Sequence, residues 1–568
     1  PDQRVKLYSQ AVRVLTKRWQ EHRFGEELAV SEGLAAILKN DKRIRKILER
    51  LAYEAHRIGK KNGKKTEADL LRKDAIEILE GSAYLGNMNL ASELLDYIDL
   101  RSGLLVGRGG EPGKPSAYSF AHRTFQEYLA GCYLINQRDA ARQLLKHAAE
   151  PEYWSLAVEF GAEELYYNGR TESQNDVLDL AYALLSKKCK STDHRRTALW
   201  SAKMAVLVGL EAIKNDSSPQ GGEEYLERLI KNTLWLLESD LTPVERADAG
   251  RALAKLGDPR PAVMDVDALE FSLVPAGKFW MGSKEGSSDE KPQHQLTLPA
   301  FWMGRYPVTN AQYSAFVEDG GYAEKGFWQE AQDAKVWADG KVKGWRDNTP
   351  REAPENFGEP FNLSNHPVVG ITWYEMLAFT RWLTLRWHEQ SILPKNWQVR
   401  LPSEAEWEKS ARGGIQIPKE AMIQVAKTCP WELESIKSYQ NPAPQRAYPW
   451  GDEFDLNKLN ASATGIASTS SVGSFVEGQS PYALHELSGN IWEWTQSLSK
   501  SYPYPESGKE LAERENLKAD KNSFRVLRGG AFVGNRINVR CAYRGGGNPF
   551  SRNDDLGFRL VVSPSSSY

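Results

Sequence analysis

Near Phe271 this chain stops reading like one kind of protein and starts reading like another. Upstream, apolar residues recur three and four apart, as at Leu7, Ala11, Val14 and Leu15 or at Ile44, Ile47, Leu48 and Leu51, and glycine and proline are sparse before Gly107. That spacing lays an apolar stripe along a helix. Downstream, tryptophan, glycine and proline crowd in and long helical periods fade. Alternating runs such as residues 294–298 predict short strands instead. A chain with this break is multidomain, helical first and α+β second. Its 568 residues allow roughly three or four domains. The expected boundaries are 1–150, 151–265 and 266–568.

The totals narrow the function classes. A 41% hydrophobic and 26% charged composition is that of a globular protein with a core. The formal net charge of -2 supplies no overall field toward nucleic acid or an anionic membrane, so neither is expected as a partner. The basic cluster Lys60, Lys61, Lys64 and Lys65 reads as a solvated helix end. Cys132, Cys189, Cys429 and Cys541 lie far apart and form no CxxC pair. That argues against a zinc cage or a disulfide framework and suits a reducing cytoplasm. No run of about 18 apolar residues marks a membrane helix. The chain opens inside a helix-like segment, as the rear part of a longer polypeptide would.

In the helical half, Gly107, Gly109, Gly110 and Pro112 form a turn between the apolar runs 104–106 and 117–120, which predicts a hairpin. Helix, helix, hairpin is the order of a winged-helix unit. In the run Tyr118, Ser119, Phe120, Ala121, His122, Arg123, Thr124, Phe125, Gln126, Glu127, Tyr128, Leu129 and Ala130, the side chains of Phe125, Tyr128 and Leu129 share one helical face and read as core. His122, at the helix start, reads as a structural hydrogen-bonding residue. This run resembles the segment that follows the nucleotide-binding module in NACHT-type signalling ATPases. No GxxxxGK[ST] sequence occurs in the chain, so the resemblance implies a regulatory helical region attached to an upstream NACHT ATPase module, with no ATP site here. Residues 247–260 read as a helix closed by Gly257 and stopped by Pro259, similar to one helix of a HEAT repeat. Residues 215–222 read as an exposed loop.

In the second half, residues 271–274 and 278–281 flank a Pro275-Ala276-Gly277 turn as two short strands, and helices are expected after the capping residues Thr309 and Thr372. Several motifs then follow in order. They are Val274-Pro275-Ala276-Gly277 with Met281-Gly282-Ser283, Tyr306-Pro307-Val308-Thr309-Asn310, and His366-Pro367-Val368-Val369-Gly370. Further on come Arg400-Leu401-Pro402-Ser403-Glu404-Ala405-Glu406-Trp407, Tyr448-Pro449-Trp450-Gly451, Leu487-Ser488-Gly489-Asn490-Ile491-Trp492-Glu493-Trp494 and Arg528-Gly529-Gly530. Together they resemble the formylglycine-generating-enzyme/sulfatase-modifying family. The resemblance implies a C-type-lectin-like fold, a small twisted mixed sheet with long loops and flanking helices.

That family's chemistry rests on a cysteine pair binding copper(I), because soft thiolates suit that ion. Carried over, the later cysteine falls on Cys541 and the earlier on Arg536. One thiolate cannot supply a two-sulfur site, so no copper and no catalytic residue are expected, and Cys541 reads as a small buried residue. The histidine cluster of related iron-dependent sulfoxide synthases has no HxxxH counterpart in this half. Calcium is the ion the resemblance allows, through the side chains of Glu486 and Glu493 and the carbonyls of Gly489 and Ile491. The family carries Asn where this chain has Glu486. A second family ion site falls near Asn460 and Ala461, without an obvious acidic partner in residues 464–473.

The last stretch, 525–561, is bounded by apolar strand-like runs and is polar and glycine-rich between them. Such a middle is too polar to be core and is held out as a surface. It resembles the diversified loop of the variable proteins of diversity-generating retroelements, in which adenine-directed change yields Asn, Asp, Ser, Gly, Tyr, Phe, Val or Ile. Matching residues in the variable region, about 530–560, are Phe532, Val533, Gly534, Asn535, Ile537, Asn538, Tyr543, Asn548, Phe550, Ser551, Asn553, Asp554 and Asp555. Val539, Arg540, Ala542, Arg544, Pro549 and Leu556 read as scaffold between them. An ordinary surface loop is the alternative. The expected function is non-enzymatic recognition of a protein ligand at this face, with the helical half signalling or regulating. The alternatives are a copper-dependent oxidoreductase of the formylglycine-generating type with an altered site at Cys541, and a structural adaptor.

Overall fold

The computed structural model describes residues 2–17, 30–59, 69–101, 104–111, 114–169, 173–186, 191–345, 349–433 and 436–565, in two compact units, 1–232 and 233–568. The Lys60–Lys65 cluster and Cys189 lie outside the described residues. Among those described, no helix is long and apolar enough to cross a membrane.

The first unit is helical around a small sheet. Helices Asp41–Gly59, Arg123–Ile135 and Pro151–Asn168 form its centre. Strand Ala117–Phe120 lies between Leu105–Arg108 and Leu70–Leu71, antiparallel to both, so the expected hairpin pairs Leu105 with Phe120. Tyr128 and Leu129 are fully buried and Phe125 packs against the same core. His122 makes no capping hydrogen bond; its ring lies beside Phe125. The first helix, Asp2–Lys17, buries a different stripe from the one its sequence suggests. Val5 and Val12 are buried while Leu7 and Val14 are exposed. The cause is packing: Tyr8, on the Val5 face, lies between Phe125, Tyr128 and Phe160.

Helix Arg123–Ile135 crosses Pro151–Asn168 at two glycines. A Cβ at Gly131 would fall 1.9 Å from the Ala157 carbonyl oxygen, and one at Gly161 2.6 Å from the Gly131 carbonyl oxygen. In Gly131→Ala the gain in helix propensity, about 1 kcal/mol, is outweighed by overpacking of about 3 kcal/mol. We expect a lower urea midpoint for the transition of the first unit and an unchanged one for the second.

The two compact units divide at 232/233. Helix Pro243–Leu256 has a capping box, Thr242 with Glu245, and ends at Gly257, yet it belongs with the second unit. Arg246 donates to the Asn457 carbonyl, Arg251 to Ser468 Oγ and Arg260 to the Val472 carbonyl. Ala247 packs with Ile466 and Phe475. Partners more than 200 residues away decided its place, and local helical pattern carries no trace of them.

In the second unit, Glu270–Val274 and Gly277–Met281 enter different sheets. The former sits in a five-stranded antiparallel sheet ordered Trp397–Arg400, Val561–Pro564, Phe301–Gly304, Glu270–Val274, Ile423–Val425. Gly277–Met281 pairs with His294–Leu298. A four-stranded mixed sheet is ordered Gly545–Gly547, Arg525–Arg528, Trp492–Leu498, Leu556–Gly557. Capping boxes open helices Asn310–Glu318, Trp373–Glu389 and Glu404–Arg412 at Thr309, Thr372 and Ser403. The main core is aromatic, built on Trp302, Trp328, Trp373, Trp387, Phe379 and Trp494. Burial of such rings supplies most of the stabilisation where regular elements are short.

Candidate functional site

The terminal stretch is tied to the frame by arginines at intervals. Arg525 lies 4.1 Å over the Trp373 ring and donates to three backbone carbonyls. Arg528 donates to the carbonyls of Cys541, Ala542 and Tyr543 and to Glu408. Arg540 grips Glu290, Arg544 grips Glu404, Arg552 grips Glu375 and Arg559 grips Glu493. All five glutamates are buried. Burial alone would raise the Glu404 carboxyl, but the charges of Arg544, Arg528 and Arg514 hold it below its ordinary range. Bidentate arginine suits this task because its fork fixes orientation as well as charge. The loop backbone is thereby fixed irrespective of what its other side chains are. Val539, Ala542, Arg544, Pro549 and Leu556 are buried, in line with their reading as scaffold, and Arg540 is mostly so.

The residues singled out between these ties divide. Val533 and Ile537 are exposed, at 58% and 49%. Asn535 and Asn553 are exposed too, and Tyr543, Asn538, Asn548, Ser551, Asp554 and Asp555 are half-buried. Phe532, Gly534 and Phe550 are buried, which corrects their expected place on the exposed face of the variable region. Phe532 packs on Phe361, Phe550 packs between Trp345 and Tyr374, and the Gly534 carbonyl accepts from Ser462. Asn535 and Asn538 lock the loop itself. Asn538 Oδ1 accepts from the Asn535 N–H at 3.0 Å, and Asn535 Oδ1 accepts from the Ile537 N–H at 2.8 Å. Asn548 accepts likewise from the Phe550 N–H.

Beside this loop lies a groove of about 1030 Å³. Asn548, Ser551, Asn553 and Asp555 line one side of it. Its lining also includes Trp345, Arg351, Glu355, Phe357 and Phe524, which no motif in the sequence marks. Trp345, Phe357 and Phe524 are exposed. Large aromatics flanked by glycine, lysine and aspartate, as at Trp345, are the signal that would have found them. Phe357 contacts Phe361, which contacts Phe532, so an aromatic chain joins the groove to the Val533–Ile537 loop.

The catalytic and metal positions are arranged otherwise. Cys541 is fully buried in a cluster with Trp407 and Tyr482, and burial pushes its thiol up to about 12. A nucleophilic or metal-binding cysteine needs the thiolate, which this setting disfavours. Arg536 is exposed on the loop. Glu493 is occupied: Oε2 accepts from Trp407 Nε1 at 2.6 Å and from Arg559 Nε at 2.7 Å, and Oε1 accepts from Arg559 Nη2 at 2.7 Å. The Gly489 carbonyl accepts from the Ile491 N–H. Glu486 accepts from the Gly473 N–H through one oxygen, its other oxygen is buried without a hydrogen-bond partner, and burial pushes the carboxyl up to about 7. A divalent ion at Glu493 would stand against a fixed guanidinium, so Glu486, Gly489, Ile491 and Glu493 do not fit calcium as arranged. Among the described residues no cluster of three or more His, Cys, Asp or Glu is placed to hold a metal.

Comparison with known proteins bears on this geometry. The model of the sulfatase-modifying factor enzyme 1-like domain matches residues 258–564, more than half of the chain. The chain belongs to that family. The model of the winged helix-turn-helix domain C-terminal to NACHT matches residues 4–134, the part of the first unit that carries the three-stranded sheet. The sulfatase-modifying-factor-like part is 30% identical over 292 residues to the serine/threonine-protein kinase Pkn1 of Chlamydia trachomatis, covering 51% of this chain and 38% of that one. It is 28% identical over 330 residues to the formylglycine-generating enzyme of Mus musculus, covering 54% and 77%. Thus the chain spans well under half of the kinase relative's length. Among solved structures, Treponema denticola variable protein 1 matches at a TM-score of 0.34 and 18% identity, covering 52% of this chain and 95% of that one.

Proposed function

We propose that the sulfatase-modifying-factor-like unit is a recognition module on a C-type-lectin-like scaffold. It binds a protein ligand through the Val533–Ile537 loop and the adjoining groove, without catalysis. The helical unit, as a NACHT-associated winged helix, couples that binding to an ATPase module. One observation carries the reading: exposed apolar side chains gather where the backbone is held by buried arginine–glutamate ties. A rigid frame with adaptable polar neighbours and aromatic contacts is how binding surfaces lower the entropy cost of association. The burial of Cys541 supports the non-catalytic part. The residue mixture of the loop supports diversification. A near-copy of the codons for residues 530–560 beside a reverse-transcriptase gene is the expected neighbour in the DNA.

Two measurements test this. The double variant Val533→Asp/Ile537→Asp should change stability by less than about 0.5 kcal/mol, since both sites are exposed. Its affinity for protein ligands selected on the parent chain should fall by about a hundredfold or more, as loss of central apolar contacts does. Undiminished binding by that variant rejects the loop as the contact surface. In the second, the chain is incubated with copper and a cysteine-containing peptide. Thiol oxidation no greater than that of Cys541→Ser is expected, and turnover that Cys541→Ser abolishes would restore the oxidoreductase reading.

A further inference from the structure

The glycine strand at the edge of the mixed sheet and the groove beside it belong together. Gly545–Gly547 pairs with Arg525–Arg528 on one side, and among the described residues no strand pairs with its other side. Rings lying across the sheet face leave no room for side chains at two of these positions. A Cβ at Gly547 would lie 2.6 Å from Trp494, and one at Gly545 3.2 Å from Trp492. Gly546 is exposed, and all three glycines line the groove. A bare edge of this kind is a template for another strand.

The walls of the groove say what such a strand carries. Arg351 is paired with Glu355, and Arg552 with Glu375. Asp555 is not so matched. Its Oδ1 is buried without a hydrogen-bond partner, and burial together with Asp554 pushes its carboxyl up to about 6. Asp555 keeps a hydrogen bond from the Asn553 side chain but has no cationic partner among the described residues, and it lines the same groove as Trp345, Phe357 and Phe524, which favours a cation there through charge and through the ring faces.

We propose that an extended peptide segment of a partner protein adds as a strand along Gly545–Gly547 and seats a lysine or arginine side chain in the groove near Asp555. This rests on the recognition reading above and names its ligand. A second copy of this chain is a poorer occupant, because it would bring another uncompensated Asp555 to the same groove.

The test is a positional-scanning library of acetylated, amidated hexapeptides titrated against the full chain. Lysine or arginine should dominate one position. The selected peptide should bind about tenfold or more weakly to Asp555→Asn, as the loss of a charge-assisted contact implies. Methylating alternate backbone nitrogens of the peptide should abolish binding, because methylation removes the strand hydrogen bonds, and free argininamide should compete poorly. An unshifted melting temperature for Asp555→Asn shows that the variant is folded. Selected peptides without a preferred cation, or tolerant of N-methylation, overturn strand addition while leaving recognition standing. A library that yields no binder, or self-association of the chain lost on Asp555→Asn, also overturns it. The Val533→Asp/Ile537→Asp measurement judges the broader reading separately.

Discussion

Glu404→Ala will destabilise the second unit by about 5 kcal/mol, the upper end of what breaking a buried ion pair costs. The carboxylate is fully buried and accepts from Arg544 at 2.5 and 3.0 Å, from Arg514 at 3.2 Å and from the Tyr502 hydroxyl at 3.1 Å, with Arg528 at 3.8 Å. Alanine leaves the buried guanidiniums of Arg544 and Arg514 without a counter-charge, while Arg528 keeps Glu408, and an unpaired buried charge costs more than the pair contributes. Unit stability is about 5–15 kcal/mol, so the loss is a large part of the total. The check is guanidinium denaturation followed by tryptophan fluorescence. The midpoint of the second unit should drop while that of the first stays. Glu404→Gln keeps the shape and one acceptor oxygen and should lose less. Because the folded-state carboxyl is held below the ordinary range, its contribution is present above about pH 4.5 and declines as the pH falls through the lower folded value. The alanine variant should therefore show a shallower loss of stability in acid. A loss under about 1 kcal/mol would mean that water reaches these charges and that the loop is not held from beneath.

Such ties explain why the sequence yields the site only in part. Capping at Thr309, Thr372 and Ser403 is legible because each box closes within three residues. The family motifs are legible because they recur as short strings. The arginines of the terminal stretch are visible too, yet their partners Glu290, Glu375, Glu404, Glu408 and Glu493 lie 66 to 250 residues away. Nothing local distinguishes a buried Arg559 from the exposed Arg536. The aromatic residues mislead for the same reason. Phe532 and Phe550 look like anchors among asparagines and glycines, but Phe361, Tyr374 and Trp345 cover them. Val533 and Ile537, one and five positions from Phe532, have no such cover. The groove is harder still to read, since Phe524 meets Trp345 and Phe357 there from a segment far along the chain.

Arg559 and Glu493 make the same point within a single pair. The pair is fully buried, and Arg559 also donates to the Gly304 and His485 carbonyls. Arg559→Met removes the charge but keeps much of the volume, leaving Glu493 with only Trp407 as an observed side-chain donor. The expected cost is about 3–5 kcal/mol. Glu493→Gln leaves the guanidinium short of a counter-charge and should cost a similar amount. In the double variant neither charge is stranded, so the two losses should fall short of adding, by about 1–3 kcal/mol. The cycle also bears on calcium. If Glu493 held an ion, Glu493→Gln would lose a calcium-dependent increment in melting temperature, and a chelator would lower the parent to meet it. With both oxygens given to Arg559 and Trp407, melting curves of the parent in calcium and in chelator should superimpose. The deficit of Glu493→Gln should be the same in both. A chelator-sensitive parent would show that Arg559 yields its place to a metal, and the frame beneath the loop would then be set by ion occupancy as well as by sequence.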